Sequence, residues 1–446
     1  MLKKILMVVA VFLVSVAMTG YGGIDKAFAG QKKKTVSKKA AQGMEQKKAF
    51  DAHDPTIRYH FKDGDMDWSF GFLLGTTSNH GFEIGEAYYT ASQIKDGDAA
   101  SWQAEWIKTA DRLAARAEKA LVDGHKISAT RQLQRASYYY RASIISMLPD
   151  DARVKEVAKR SRSLLRKAGE LMDPPLEYIE VPFEGTVLPG YFRKADKSGA
   201  PRPTLFMIGG GETFAEDLWF HIAPQTFERG YNFIAVDLPG QGLLPWEGKF
   251  FRPAMNDPIS AVIDYALKRP EVDPKSFAAY GISGGGGFAP QTAMNDPRIK
   301  AVAVTSAVVD AERLFSTMPV ATTTPKVLGT FNSFHRNVVK LVAYRWGVKM
   351  DNIPGLVAAN KGFTFDPAKV TVPMLLLVGA GEYTDKEVQR QQKECMDKLP
   401  NPKSKLVVTA FEEGASSHCI GENRSLMGEI LFDWLDNVLI HFWYWA

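Results

Sequence analysis

The sequence predicts an α/β protein with a mostly parallel central sheet, preceded by a helical segment and interrupted by a lid. Two observations carry this. After Pro175, short continuous apolar runs alternate with stretches of helical pattern, as in a parallel sheet covered on both faces. Before it, three amphipathic helical patterns follow one another without an intervening strand. A chain of 446 residues with 45% hydrophobic and 11% aromatic content can bury a sizeable core.

In chain order, the first element is a leader. Lys3 and Lys4 precede an apolar run from Ile5 to Met18, and Ala27-Phe28-Ala29 follows. This is the layout of a secretory signal peptide over residues 1–29, cleaved after Ala29. The run is short of the roughly 20 residues a membrane span needs. Export, periplasmic or secreted, is therefore expected. Residues 30–50 read as a solvated basic linker. Residues 1–48 hold ten Lys and two acidic residues, so the net charge of +5 becomes −3 for the rest. The basicity belongs to the leader and linker, and no nucleic-acid groove is expected. An exported chain with two cysteines, Cys395 and Cys419, admits one disulfide. The helix expected around Cys395 need not pass near the Cys419 loop, so two free buried thiols are the favoured expectation.

Residues 51–174 form the expected helical domain. Asp51–Lys95 is aromatic-rich and mixed and gives no clear assignment. From Asp98, Trp102, Trp106, Ala110, Leu113, Ala117 and Leu121 fall on one helical stripe, and Gly124 is a natural stop. A second helix uses Leu133, Ala136, Tyr140 and Ile144, with Pro149 beyond it, and a third spans about Asp151–Met172 before Pro174-Pro175. Trp102, Trp106 and Tyr138–Tyr140 can line an aromatic pocket, although packing is the commoner use of such a stripe.

Residues 175–446 carry the sheet. "LEYIEVPFEGTVLPGYFRKA" reads as a hairpin around Glu184-Gly185. Strands are expected at Thr204–Ile208, Asn232–Val236, Phe277–Ile282, Ala301–Thr305, Met374–Val378 and Lys405–Thr409. Sixty residues, Ala311–Val370, separate two of them, too many for one helix, and read as a lid over the carboxyl end of the sheet.

The stretch "YGISGGGGFAP", Tyr280–Pro290, carries the chemistry. A Walker-type phosphate loop needs Lys and Ser/Thr after its glycines, and here Phe288-Ala289 follows. A dinucleotide fingerprint belongs to the first strand–helix turn, and this turn comes late in the sheet. Gly281, Ser283 and Gly285 instead match Gly-x-Ser-x-Gly between a strand and a helix, the context of a nucleophile elbow. Oxyanion donors are then expected from the backbone N–H of Gly284 and from the loop "GGGETF" after the strand Thr204–Ile208, which offers Gly210 and Gly211. The general base comes last in such chains. Of eight His, only His418 and His441 follow the late strands, and His418 lies in the polar loop between the last strand and the last helix. For the acid, Glu382 stands three residues after Gly379, Asp385 lies in the same loop, and Asp310 follows the preceding strand. They rank in that order, and each can instead cap a helix.

The pieces "GHKISATRQLQRASYYYRAS", "VPFEGTVLPGYF", "IGGGETFAEDLW", "VDLPGQG", "RPEVDPKSFAAYGISGGGGFAP" and "DPRIKAVAVTSAVVD" resemble the α/β-hydrolase superfamily. They resemble in particular its helical-domain branch, which includes dihydroxy-pseudo-oxynicotine hydrolase and FrsA-like esterases. The resemblance runs from Gly124 to Asp310, and in layout to about Leu435. It implies an α/β-hydrolase fold, Ser283 as nucleophile, His418 as base, Gly284 and Gly211 as oxyanion donors, and no cofactor or metal. The loop "GAGEYTD" departs from the branch in having no Asp at the usual spacing. The expected activity is hydrolysis of an ester, or less readily an amide, through an acyl-enzyme. The alternatives are C–C cleavage of a ketone and a non-catalytic binding protein that keeps the fold. The expected partner is a small-molecule ester or ketone, and a homodimer is compatible with the sequence.

Overall fold

The computed structural model describes residues 51–53 and 55–439. The leader, the basic linker and His441 lie outside them. Eight strands form one sheet: β1 (Leu176–Phe183), β2 (Thr186–Arg193), β3 (Arg202–Ile208), β4 (Asn232–Val236), β5 (Val272–Ile282), β6 (Ala301–Thr305), β7 (Met374–Val378) and β8 (Lys405–Val408). Their order is β1-β2-β4-β3-β5-β6-β7-β8. β1 and β2 form the expected hairpin, with Glu184 and Gly185 at φ 44° and 74°. Positive φ at both turn residues matches the twist of the strands they join. β2 meets β4 antiparallel, and every later pairing is parallel. This is the α/β-hydrolase arrangement that the sequence predicts.

The helices are α1 (Gly64–Leu74), α2 (Ile84–Ala91), α3 (Ala99–Val122), α4 (Lys126–Ile144), α5 (Val154–Glu170), α6 (Ala215–Glu228), α7 (Asn256–Ala266), α8 (Gly285–Ala293), α9 (Ala311–Thr317), α10 (Pro325–Leu328), α11 (Ser333–Arg345), α12 (Gly355–Ala359), α13 (Lys386–Lys398) and α14 (Arg424–Leu439). Alternation along the strands sends Leu205, Met207, Phe233, Ala235 and Tyr280 to one face, where α3–α6 and α14 share their core. Phe206, Ile208, Ile234, Val236 and Ala279 face the other side, against α7, α8 and α13. Each central strand is covered on both sides, which is why it reads as a continuous apolar run.

The stripe on α3 is a packing surface. Trp102 and Trp106 are fully buried, and the Trp102 indole N–H donates to the Ala142 carbonyl at 2.9 Å. α1 and α2 occupy the stretch that the pattern left unassigned. α1 buries Asp65, Asp67 and Ser69 along with Met66 and Phe70, so it shows no apolar stripe. Its polar residues have specific partners. Asp67, for example, accepts from the backbone N–H groups of Tyr59, His60 and Phe61 at 2.7–3.0 Å.

Residues 311–370 form a set of short helices, α9 to α12, with turns between them. The two ends of this insertion are tied at the rim of the sheet, where Ala311 N–H donates to Phe363 O at 3.1 Å and Phe365 N–H to Val309 O at 3.2 Å. Strand order reverses around β3, which runs between β4 on one side and β5 on the other. Ligands of open α/β sheets bind at such a point, outside the carboxyl ends of the strands. The loops after β3 and β5 meet there.

Candidate active site

β5 ends at Ile282, and the chain turns at Ser283 with φ 53° before α8 begins. For a residue with a Cβ this left-handed conformation costs about 1–3 kcal/mol. It is held by Ser283 N–H to Thr305 O at 2.9 Å and by Gly286 N–H to Ser283 O at 2.8 Å. The surrounding glycines give space to backbone. A Cβ on Gly281 would meet Gly285 O at 2.0 Å, and one on Gly286 would meet Ser306 O at 1.8 Å. The glycine run thus lets α8 lie against the strands.

His418 follows β8 in a tight turn where Cys419 and Ile420 both take positive φ, 62° and 50°. Glu422 pins this turn by accepting from the N–H groups of Ser416 and Ser417 at 2.7 and 2.6 Å and from the Ser417 hydroxyl. The His418 imidazole then spans two partners. Its Nε2 lies 3.1 Å from Ser283 Oγ, and its Nδ1 lies 3.1 Å from Glu382 Oε1. Glu382, in the turn after β7, is buried, and the Ser306 hydroxyl donates to the same Oε1 at 2.8 Å. Its Oε2 is buried with no hydrogen-bond partner among the described residues. Burial disfavours a charged imidazole, but Cys419 and the Glu382 carboxylate beside it hold the His418 pKa well above the ordinary histidine value.

The other two acid candidates are elsewhere. Asp385 caps α13, accepting from Glu387 N–H and Val388 N–H at 2.8 and 3.0 Å. Asp310 caps α9, accepting from Arg313 N–H at 3.0 Å. Each carboxylate is spent on local backbone amides.

The loop after β3 lies against Ser283. A Cβ on Gly210 would come within 2.4 Å of Ser283 Cβ and 2.7 Å of Gly284 N. Of the three candidate oxyanion donors, Gly210 is already committed, since its N–H donates to Thr213 Oγ1 at 2.9 Å. The N–H groups of Gly211 and Gly284 have no protein acceptor among the described residues, and both residues line the cavity above Ser283. Buried Gln241 holds the loop from below by donating to Gly209 O at 2.8 Å. Arg141 of α4 holds it from the helical side, donating to Glu212 O at 2.7 Å and to Asp217 at 2.8 Å.

The cavity measures about 250 Å³. Residues 311–370 contribute Leu314, Phe315, Val338 and Val342 to its wall, and α1 contributes Trp68 and Phe72. Of the α3/α4 aromatics, only Tyr138 reaches it. The two cysteines are free and buried on opposite faces of the sheet, Cys419 on the α6 side and Cys395 on the α8 side. Sequence reasoning missed Glu212, Ser306, Gln241 and Glu422. Glu212 stands directly after the glycines of the loop, which is a usable signal. The other three are identified only by contacts across the fold.

Residues 80–330 match the family model described as "Esterase FrsA-like". The curated relatives include the alpha/beta hydrolase gkaG of Penicillium citrinum, 33% identical over 250 residues, which covers 53% of this chain and 58% of that one. The alpha/beta hydrolase xenA of Xenoacremonium sinensis is 28% identical over 415 residues, covering 83% of this chain and 96% of that one. The match to gkaG thus spans less than two thirds of that relative's length. Among solved structures, the 2,6-dihydroxy-pseudo-oxynicotine hydrolase superposes with a TM-score of 0.66 at 21% identity, covering 82% of this chain and 95% of that one. That likeness is one of fold.

Proposed function

The chain belongs to the FrsA-like esterase family and is an α/β-hydrolase enzyme, and on that premise we propose that it cleaves a carboxylic ester through Ser283, His418 and Glu382. The observation that carries the reading is the continuous contact from Glu382 Oε1 through both ring nitrogens of His418 to Ser283 Oγ, each step 3.1 Å. Ser283 Oγ attacks the ester carbonyl while its proton passes to His418 Nε2. The carbonyl oxygen becomes an oxyanion against the N–H groups of Gly284 and Gly211. The ester C–O bond then breaks, and the Nε2 proton goes to the departing alkoxide. Water gives a proton to His418 Nε2 and attacks the acyl carbon; the acyl–Oγ bond breaks, the acid leaves, and the Nε2 proton goes to Ser283 Oγ, which restores the enzyme. Glu382 orients the ring and stabilises the imidazolium, and Ser306 orients Glu382.

His418 must be neutral to take the Ser283 proton, and its pKa stands above the ordinary value. The rate therefore falls as pH drops through that raised pKa. C–C cleavage of a ketone would use the same three residues, and no side chain in the cavity singles it out. The signal-like segment before Ala29 supports export.

The test is a fluorophosphonate probe together with a series of p-nitrophenyl esters. Labelling at Ser283 and loss of ester turnover in Ser283→Ala are expected, with the fold retained. A Ser283→Ala variant that keeps near wild-type turnover removes the nucleophile from the mechanism. Absence of both labelling and turnover in the wild type favours a binding protein.

A further inference from the structure

Next to the Ser283 site, the cavity wall carries a second linked set of ionisable groups that the mechanism above does not use. His53 sits between two carboxylates, with Nδ1 2.9 Å from Asp65 Oδ1 and Nε2 2.9 Å from Glu212 Oε2. His335 of α11 approaches the other Asp65 oxygen, Nδ1 to Oδ2, at 2.9 Å. A neutral imidazole has one donor and one acceptor, so a ring facing carboxylate oxygens on both sides is satisfied only as the doubly protonated cation. Trp68 stacks on His53 at 4.4 Å and 20°, a geometry that suits a cation. Burial works against ionising Glu212, but His53, with Arg141 and Arg345 behind it, holds its carboxyl below the usual range.

Glu212 is therefore a carboxylate with one oxygen occupied by His53. Its other oxygen, Oε1, receives no protein donor among the described residues, and the side chain is 30% exposed, into the cavity. An ionised oxygen without a protein donor gains from one that a ligand brings, since a hydrogen bond to a charged acceptor is among the stronger kinds. Glu212 also follows the oxyanion-donor candidate Gly211 directly, and both residues line the cavity that holds Ser283. Trp68, Phe72, Leu314, Val338, Val342 and Trp346 give the same cavity a large apolar surface.

We propose that Glu212 determines specificity by accepting a hydrogen bond from the substrate, so that the site selects a largely apolar ester carrying a hydroxyl or ammonium donor close to its scissile carbonyl. His53 is a positioning residue here, because it engages Glu212 Oε2 and leaves Oε1 for the ligand. This inference rests on the ester-hydrolase reading of the same site and adds its substrate class.

The experiment compares ethyl esters of α- and β-hydroxyalkanoic acids, their β-amino counterparts and unsubstituted parents of equal chain length. The wild type is expected to favour at least one donor-bearing ester over its parent by about ten- to a hundredfold in kcat/KM, the range of a hydrogen bond to a charged group. Selection of the hydroxy or of the amino series identifies the donor. In Glu212→Gln the amide oxygen accepts from His53 and its NH₂ faces the cavity, so the preference should collapse to about unity. Wild-type ratios near one throughout, or an unchanged ratio in a folded Glu212→Gln, overturn the proposal. If Glu212→Gln does not fold, the wild-type ratios decide. Calorimetric binding of matched hydroxyketones and plain ketones to the wild type separates this inference from the reaction. Donor preference in binding without ester turnover overturns the ester reading and supports the Glu212 site. Ester turnover with no donor preference in either measurement does the reverse.

Discussion

Glu382→Gln tests the mechanism most directly. The substitution keeps the side chain's shape and removes the charge 3.1 Å from His418 Nδ1. In the transition state the ring is a cation. At an effective dielectric of about 20, a unit charge pair at this separation is worth about 5 kcal/mol, or about 10⁴-fold in rate. The same figure, about 10⁴, is the cost of the matching amide substitution in the best-studied serine triad. Loss of the carboxylate also removes a cause of the raised His418 pKa, so the acidic limb of the pH–rate profile should move to lower pH as kcat falls. Stability should respond with a defined sign. A histidine whose folded pKa is raised stabilises the fold fully below its unfolded value of about 6.5 and loses that contribution as pH rises through the folded pKa. Glu382→Gln should therefore lower the melting temperature most below about pH 6, and little at alkaline pH. The assay is kcat and kcat/KM on one p-nitrophenyl ester across the pH range, with thermal melts at its two ends. A variant within about tenfold of wild-type kcat, or one whose acidic limb moves up, refutes the reasoning. So does a comparable rate loss in Asp385→Asn or Asp310→Asn, whose carboxylates cap α13 and α9.

Gly210→Ala would drive a methyl to within 2.4 Å of Ser283 Cβ, so the elbow must shift. A fall in kcat of about 10²-fold is expected from misplacement of that order, and unchanged kinetics would mean the loop does not abut the nucleophile. Burial pushes the Cys395 thiol up to about 12 and Cys419 is buried too, so a thiol reagent should find neither in the native protein and both after denaturation. Reductant should leave activity unchanged, and a measurable disulfide would contradict the opposite-face placement. Trp102→Ala should cost about 3–5 kcal/mol in denaturant unfolding. Trp102 is fully buried and does not line the cavity, so KM should hold, and a KM change without a stability loss would refute a packing role.

What the sequence determined by itself was the part set by local pattern and chain order. Asn232–Val236, Ala301–Thr305 and Met374–Val378 stand where their apolar runs place them, because a strand buried on both faces reads as a near-continuous apolar run, with polar residues such as Asn232 and Thr305 at its ends. The elbow at Ser283 was legible because its glycines answer close backbone contacts within the turn and with adjacent strands. α1 was not legible. It buries Asp65 and Asp67 against partners such as His53, His335 and the Tyr59–Phe61 amides, and no periodicity encodes such pairings. The acid was narrowed to three by sequence, and only the tertiary structure separated them. A carboxylate near the start of a helix is drawn to the amides beside it, as Asp385 and Asp310 are. The one that meets His418, 36 residues away in the chain, depends on how the turn after β7 packs beneath the loop after β8. The contact of His53 with Glu212 spans 159 residues and has no local signature at all. Spacing fixes which residues share an element, whereas contact between elements follows from sheet order and register, which bring the loops after β3, β5, β7 and β8 to one rim.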